Sequence, residues 1–372
     1  MATLHSEESV NAIVFSPCNT YLICGTGLGN LHVWRFAAES GDGSVEPPQR
    51  CVSICAHGCA VYALTFAHAA AGVLLLSAAD EEICAWRWDD ILGRRLAGVA
   101  PTPLLRLENS RTMLRRGALG QLSETSALAI DTGAQRLYSA AGDGNAYAWD
   151  LATQQCVATF PGVGEPLHCL ALCERRQQLV TGGEDGGVRL WDVRAARCSQ
   201  VLRPNAPPLT TATTPSGGGN DSSSSMVGGG SPARNGSGGS GGWCGCLAVN
   251  EAENWLVAGW GDGFLCPIDL NTLSAVACMP TAAAPLAVCF EPGSDFHLVT
   301  VGAESGVYHW RLTGELETRA TCSSPSALGL ATARLPSGAK LIAVGGSSGT
   351  IDIFTDTSHR AFTLRVVQQA AA

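Results

Sequence analysis

The stretch "CVSICAHGC" gathers Cys51, Cys55, His57 and Cys59, side-chain types that commonly hold zinc. Zinc ligands usually come as two separated pairs, with about two to four residues inside each pair. Cys51 to Cys55 and Cys55 to Cys59 each enclose three residues, but no second, distant pair accompanies them, so no metal site is expected. The stretches "GTGLGN" and "GGEDGG" have the composition of phosphate-cradling loops. Neither leads into Gly-Lys-Ser/Thr or opens a helical pattern, and both read as hairpin turns, so no nucleotide cofactor is expected. No His-Glu-x-x-His is present. The acidic residues recur at intervals instead of pairing for acid–base work. No catalytic residue is assigned, and the chain reads as non-enzymatic.

Those intervals expose the elements that position the residues. Laid against Trp191, the chain returns seven times to a large apolar residue: Trp34, Trp86, Trp149, Trp191, Ile268, Trp310 and Phe354. Six residues before each stand Leu28, Asp80, Asp143, Asp185, Asp262, Glu304 and Ser348, mostly acidic, and a glycine usually follows. Two strand-like runs precede each turn, for example "LHCLAL" and "QLVTGG" before Trp191. Where connections are short (149 to 191, 268 to 310, 310 to 354), the closing residues lie 42, 42 and 44 apart. A small antiparallel unit of this length cannot bury its faces alone and must stack on its neighbours. Asp-Gly supplies the hairpin turn, and the closing aromatic fills space between units.

The 372 residues are 46% hydrophobic and 15% charged, with net charge −9. No apolar run is long enough to span a bilayer. "MATLHSEESV" has neither the basic nor the apolar region of a secretory signal. A reducing compartment, cytosolic or nuclear, is therefore expected, with the 16 cysteines as free thiols. The acidic balance argues against a dedicated nucleic-acid-binding domain.

Two segments interrupt the repeat. Residues 203–242 are Gly/Ser/Pro/Thr-rich and read as a disordered insertion between units 4 and 5, unable to offset ordering entropy. Residues 87–120 hold Arg94, Arg95, Arg106, Arg111, Arg115 and Arg116, a candidate basic patch for an acidic partner or RNA backbone. The alternative is a solvated surface loop. "DDILGRRL" suits one or two helical turns. The C-terminal "AFTLRV" reads as the last unit's outer strand, which leaves Ala2–His5 as the N-terminal candidate for a latch.

The repeat resembles the WD-repeat family along the whole chain, which implies an all-β fold: one seven-bladed β-propeller over residues 1–372. In that family an Asp–His–Ser/Thr–Trp set braces a blade, and His57, Ser77, Asp80 and Trp86 match it in blade 2. "LHCLALCERRQQLVTGGEDGGVRLWDVRAARCSQVL", "GWCGCLAVNEAENWLVAGWGDG" and "IDIFTDTSHRAFTLRV" narrow the resemblance to the THO complex subunit 6 family. That resemblance implies a nuclear, non-catalytic scaffold in mRNA processing and export. It docks on helical or coiled-coil THO subunits, and RNA is contacted mainly by others. Leu179–Arg194 also matches a sixteen-residue box of WD-repeat substrate receptors in cullin–RING ubiquitin ligases. This alternative makes Asp192 and Arg194 adaptor-binding residues.

Overall fold

Each blade forms because alternation places one face of every strand against the next blade. In blade 4, Leu167–Cys173, Gln178–Gly183, Val188–Asp192 and Arg197–Leu202 pair antiparallel in chain order, from the ring's centre to its rim. Leu179 stands opposite Trp191, with Thr181 diagonal to it on the same face. The turn between the second and third strands needs a left-handed residue, and Gly186 supplies it at φ 70°.

A computed structural model describes residues 8–36, 47–80, 82–93, 101–108, 111–113, 119–203, 242–335, 338–355 and 359–366. It contains seven such sheets, so the chain is a seven-bladed β-propeller. The seven closing residues are at most 5% exposed, and each sits in a separate core cluster shared with the preceding blade. Trp191, for example, packs with Tyr138 and Phe160 of blade 3. The closing aromatic is thus the filler of a seam between blades, as its periodicity implies.

The ring closes by packing, with each blade built from its own four strands. Arg360–Arg365, from "AFTLRV", is the outer strand of blade 7. Val10, Ile13 and Phe15 of blade 1 pack with Leu341, Ala343 and Ile351 of blade 7. Asn19 Nδ2 donates to the Arg334 carbonyl across the same seam at 2.9 Å. Ala2–His5 and most of the Gly/Ser-rich insertion, residues 204–241, lie outside the described residues.

The 87–120 segment carries several elements. A helix, Trp88–Gly93, is followed by Leu105–Glu108, the fourth strand of blade 2. Arg111–Met113 then pairs with Leu119–Leu122 in a separate two-stranded sheet. Trp88 wedges between blades 1 and 2, edge-on to Tyr21 at 5.5 Å and to Phe66 at 5.2 Å.

In blade 5, Pro267 interrupts the regular edge. It has no N–H to give an outer strand. That strand is split into Ser274–Ala275 and Met279–Pro280, held between by the Val276 N–H to the Pro267 carbonyl at 2.9 Å.

Candidate interaction surface

The turn acids bind the blades themselves. Asp185 accepts from Arg189 at 3.0 and 2.6 Å and from Arg203 at 2.8 Å. The Arg189 hydrogen bonds hold its carboxyl below the usual carboxylate range. Asp143 accepts the Tyr147 hydroxyl and, at 2.9 Å, the Asn145 N–H. Glu304 accepts the Tyr308 hydroxyl at 2.7 Å, and Asp262 accepts the Gly242 N–H at 2.6 Å. Asp80 lies beside Tyr62, whose hydroxyl is pushed up to about 12, first by burial and then by that carboxylate.

The closing tryptophans are fixed in the same way. The indole N–H donates to Ser77 from Trp86, to Ser139 from Trp149 and to Thr181 from Trp191, each at 2.9 Å, and to Thr300 from Trp310 at 3.0 Å. Trp34 has Cys24 at the corresponding position, on the second strand of blade 1. In blade 2, Ser77 also meets His57 Nε2 at 2.7 Å, as the family set implies. The acid facing that histidine is Glu82, at 3.5 Å from Nδ1, and not Asp80. Glu82, Cys84 and Trp86 alternate along one strand and share a face, whereas Asp80 lies in the turn before it.

Asp192 and Arg194 occupy the hairpin between the third and outer strands of blade 4. Asp192 Oδ1 accepts the N–H groups of Arg194 at 2.8 Å and Ala195 at 3.2 Å. Asp150 caps the corresponding hairpin of blade 3 in the same way, at 2.9 and 2.8 Å. The Asp of the Trp-Asp-x-Arg ending therefore has a local turn-forming role. The Arg194 residue is exposed.

Of the six arginines of the candidate basic patch, only the Arg106 side chain is among the described residues. Arg106 lies on the outer strand of blade 2 and is spent on Glu82, donating to both carboxylate oxygens at 2.7 Å. Arg94, Arg95, Arg115, Arg116 and the Arg111 side chain lie outside the described residues.

A cavity of about 680 Å³ opens at the ring's centre, walled by inner strands of blades 4 to 7. Two of its polar side chains, Ser294 and Glu291, are engaged within the ring. Ser294 Oγ bonds His297 Nδ1 at 2.7 Å, and Glu291 is held by Lys340 at 2.6 Å and His309 at 3.2 Å. Gly345–Gly349 has Gly-x-Ser-x-Gly spacing, but it forms a blade hairpin, and the Ser347 hydroxyl contacts Ser324 and the Ser326 N–H.

Sequence motifs gave no signal for the rim. The outer edges of blades 3, 4 and 5 run Gln155–Phe160, Arg197–Leu202 and Ser274–Pro280. Between them they hold one charge, Arg197; the outer strand of blade 1 holds one, Arg50, and those of blades 2, 6 and 7 hold two each. Each of the three edges also shows a half-exposed valine, Val157, Val201 or Val276. Edge strands are normally protected by charge, so three neighbouring, sparsely charged edges with apolar side chains make this arc the candidate interaction surface.

Comparison with known proteins agrees with the geometry. The WD domain, G-beta repeat, model matches residues 1–35 and 154–192. The THO complex subunit 6 homolog of Rattus norvegicus is 29% identical over 354 residues, 94% of this chain and 90% of the relative. THO complex subunit 6 of Homo sapiens is 28% identical over the same shares. THO complex subunit 6 of Arabidopsis thaliana is 28% identical over 88% of this chain and 80% of its own length. Blade architecture and repeat identify the chain as a WD-repeat β-propeller, similar to THO complex subunit 6 proteins along most of its length.

Proposed function

We propose that the chain is a non-catalytic scaffold subunit of a nuclear THO-type complex, acting in transcription-coupled mRNA processing and export. The observation that carries this reading is the likeness to THO complex subunit 6 proteins over nearly the whole chain. The rim of blades 3 to 5 supplies the docking surface, and its occupant is an apolar-striped helical or coiled-coil segment of another subunit. An arc whose only edge charge is Arg197 fits such a stripe, because little charge has to be stripped of water. RNA contact falls to other subunits, in keeping with the net charge of −9.

The test is affinity purification of the tagged chain from nuclear extract, followed by mass spectrometry. Wild type is compared with Val157→Asp/Val201→Asp/Val276→Asp and with Arg194→Ala. Covering the exposed half of each valine is worth roughly 1 kcal/mol. Together the three predict about a hundredfold weaker capture, with THO subunits retained by Arg194→Ala. Subunits that stay bound to the triple variant move the docking surface elsewhere. A cullin–RING adaptor lost with Arg194, in place of THO subunits, replaces the export reading with the ligase-receptor one.

A further inference from the structure

Three metal-ligand atoms converge beside the closing Trp86 of blade 2. They belong to His57, Glu82 and Cys84 and lie within 4.8 Å of one another. No other trio among the described residues converges in this way. Glu82 and Cys84, two apart on one strand, face the same side, and His57 comes from the connection between blades 1 and 2. The His57 side chain is 1% exposed, and its Nδ1 has no hydrogen-bond partner. At 3.5 Å the Glu82 carboxylate is too far for a good hydrogen bond. A buried ring nitrogen left in this state needs a reason, since nearly all such atoms are paired.

We propose that His57 Nδ1, a Glu82 carboxylate oxygen and Cys84 Sγ bind one divalent transition-metal ion of zinc's class, with water in the fourth place. Nitrogen, oxygen and sulfur donors at about 2.0–2.3 Å suit zinc. Those bond lengths put tetrahedral ligands roughly 3.4–3.8 Å apart, so from 4.8 Å at most the trio has to close by no more than about 1.4 Å. Binding replaces the Cys84 S–H bond by a metal–sulfur bond and releases one proton to solvent. The thiolate and carboxylate then neutralise the ion, as a largely buried site requires.

The second nitrogen of the ring is already organised for this role. With Nδ1 on the metal, the ring proton sits on Nε2 and is donated to Ser77 Oγ, 2.7 Å away. That oxygen still has a lone pair for the Trp86 indole N–H at 2.9 Å. A fixed acceptor on the far side of a ligating histidine sets its tautomer and its aim. Arg106 holds the positive place in the metal-free protein through its two bonds to Glu82. Its side chain is 54% exposed and free to swing outward. Arginine and ion therefore compete for one carboxylate.

The probe is cobalt(II), titrated into the full-length protein after chelator treatment. Absorption from thiolate-to-cobalt charge transfer reports a sulfur ligand. One saturable equivalent is expected, lost in Cys84→Ser and in Glu82→Gln, and kept when the nearby Cys51 and Cys55 are both changed to serine. Arg106→Ala, a surface change, should bind roughly three- to tenfold more tightly, from the worth of a half-exposed ion pair. Melting curves separate lost ligation from lost folding. If Cys84→Ser does not fold, Glu82→Gln and Arg106→Ala decide the question. No sulfur band at one equivalent, a band that survives Cys84→Ser, or an affinity unmoved by Arg106→Ala overturns the site and leaves the trio as bracing for Trp86.

Discussion

The hydroxyl–indole pair of blade 4 gives a sharp test of what the repeated Trp does. Trp191 is 2% exposed, donates to Thr181 at 2.9 Å, and stands edge-on to Phe160 of blade 3 at 5.9 Å. Thr181→Val keeps the shape and removes the acceptor, which leaves a buried N–H unpaired at a cost of about 1–3 kcal/mol. Trp191→Ala opens the seam itself and should cost about 3–5 kcal/mol, as for other buried aromatics. Trp191→Phe removes the donor and part of the filling, so it should fall between the two. The double variant Thr181→Val/Trp191→Phe should cost about 1 kcal/mol less than the sum, because with the donor gone the missing acceptor is no longer felt. The ring contains natural counterparts of this double change. Ala258 with Ile268 in blade 5, and Val344 with Phe354 in blade 7, occupy the same positions with neither partner polar. Equilibrium denaturant unfolding of the four proteins, analysed at constant slope, closes the cycle. Additivity within about 0.3 kcal/mol would refute the hydrogen bond as a stabilising element and leave Trp191 as filling alone.

Glu291 should make stability sensitive to acid. Its hydrogen bond with His309 and, against burial, the Lys340 ammonium hold its carboxyl down at about 2 instead of 4.5. A depressed folded value contributes stability that is complete above the unfolded value and is lost as pH falls from about 4.5 toward 2. The gap corresponds to about 3 kcal/mol, so Glu291→Gln should be less stable than wild type at pH 7 and converge with it only as pH falls to about 2. Parallel unfolding midpoints at all pH values would remove Glu291 from that role. At the closing seam, a Cβ on Gly345 would lie 2.6 Å from Val10 and 2.8 Å from Ile13. Gly345→Ala should therefore cost about 1–3 kcal/mol by overpacking, read as a lowered melting temperature. An unchanged melting temperature would show that the seam gives way easily.

Much of the ring was legible because its signals are local and repeated. The closing residue, the acid six before it and the glycine after that acid fix the second and third strands of a blade. Outer strands carry no such signature, since they pack on one side only. Leu105–Glu108 therefore lay hidden inside an arginine-rich segment until pairing with Glu82–Ala85 revealed it. The acid of the blade-2 set was misplaced for a related reason. A turn acid is found by counting back from Trp86, but the side that Glu82 faces follows from strand alternation. Seam contacts such as Asn19 with Arg334 join residues 315 apart and leave no trace in any sequence window.

The ring's two faces and its rim do different physical work, and this bears on where partners attach. On the face of the acidic turns, Asp143, Asp185 and Glu304 are tied back to side chains of their own blades. On the opposite face, polar side chains stitch neighbouring blades. Thr132 reaches Glu174 at 2.9 Å, Glu253 takes the Arg175 N–H at 3.0 Å, and Asn250 reaches Asp295 at 2.7 Å. The seam between blades 1 and 2 has Trp88 instead. That between blades 2 and 3 keeps an apolar notch of about 320 Å³, lined by Leu74, Leu104 and Leu151. A partner gripping either face by charge would have to compete with these internal bonds, each already paired at short range. Binding at the bare edges of blades 3 to 5 breaks no internal bond. It also covers the three half-exposed valines, which is why the rim is the surface to mutate first.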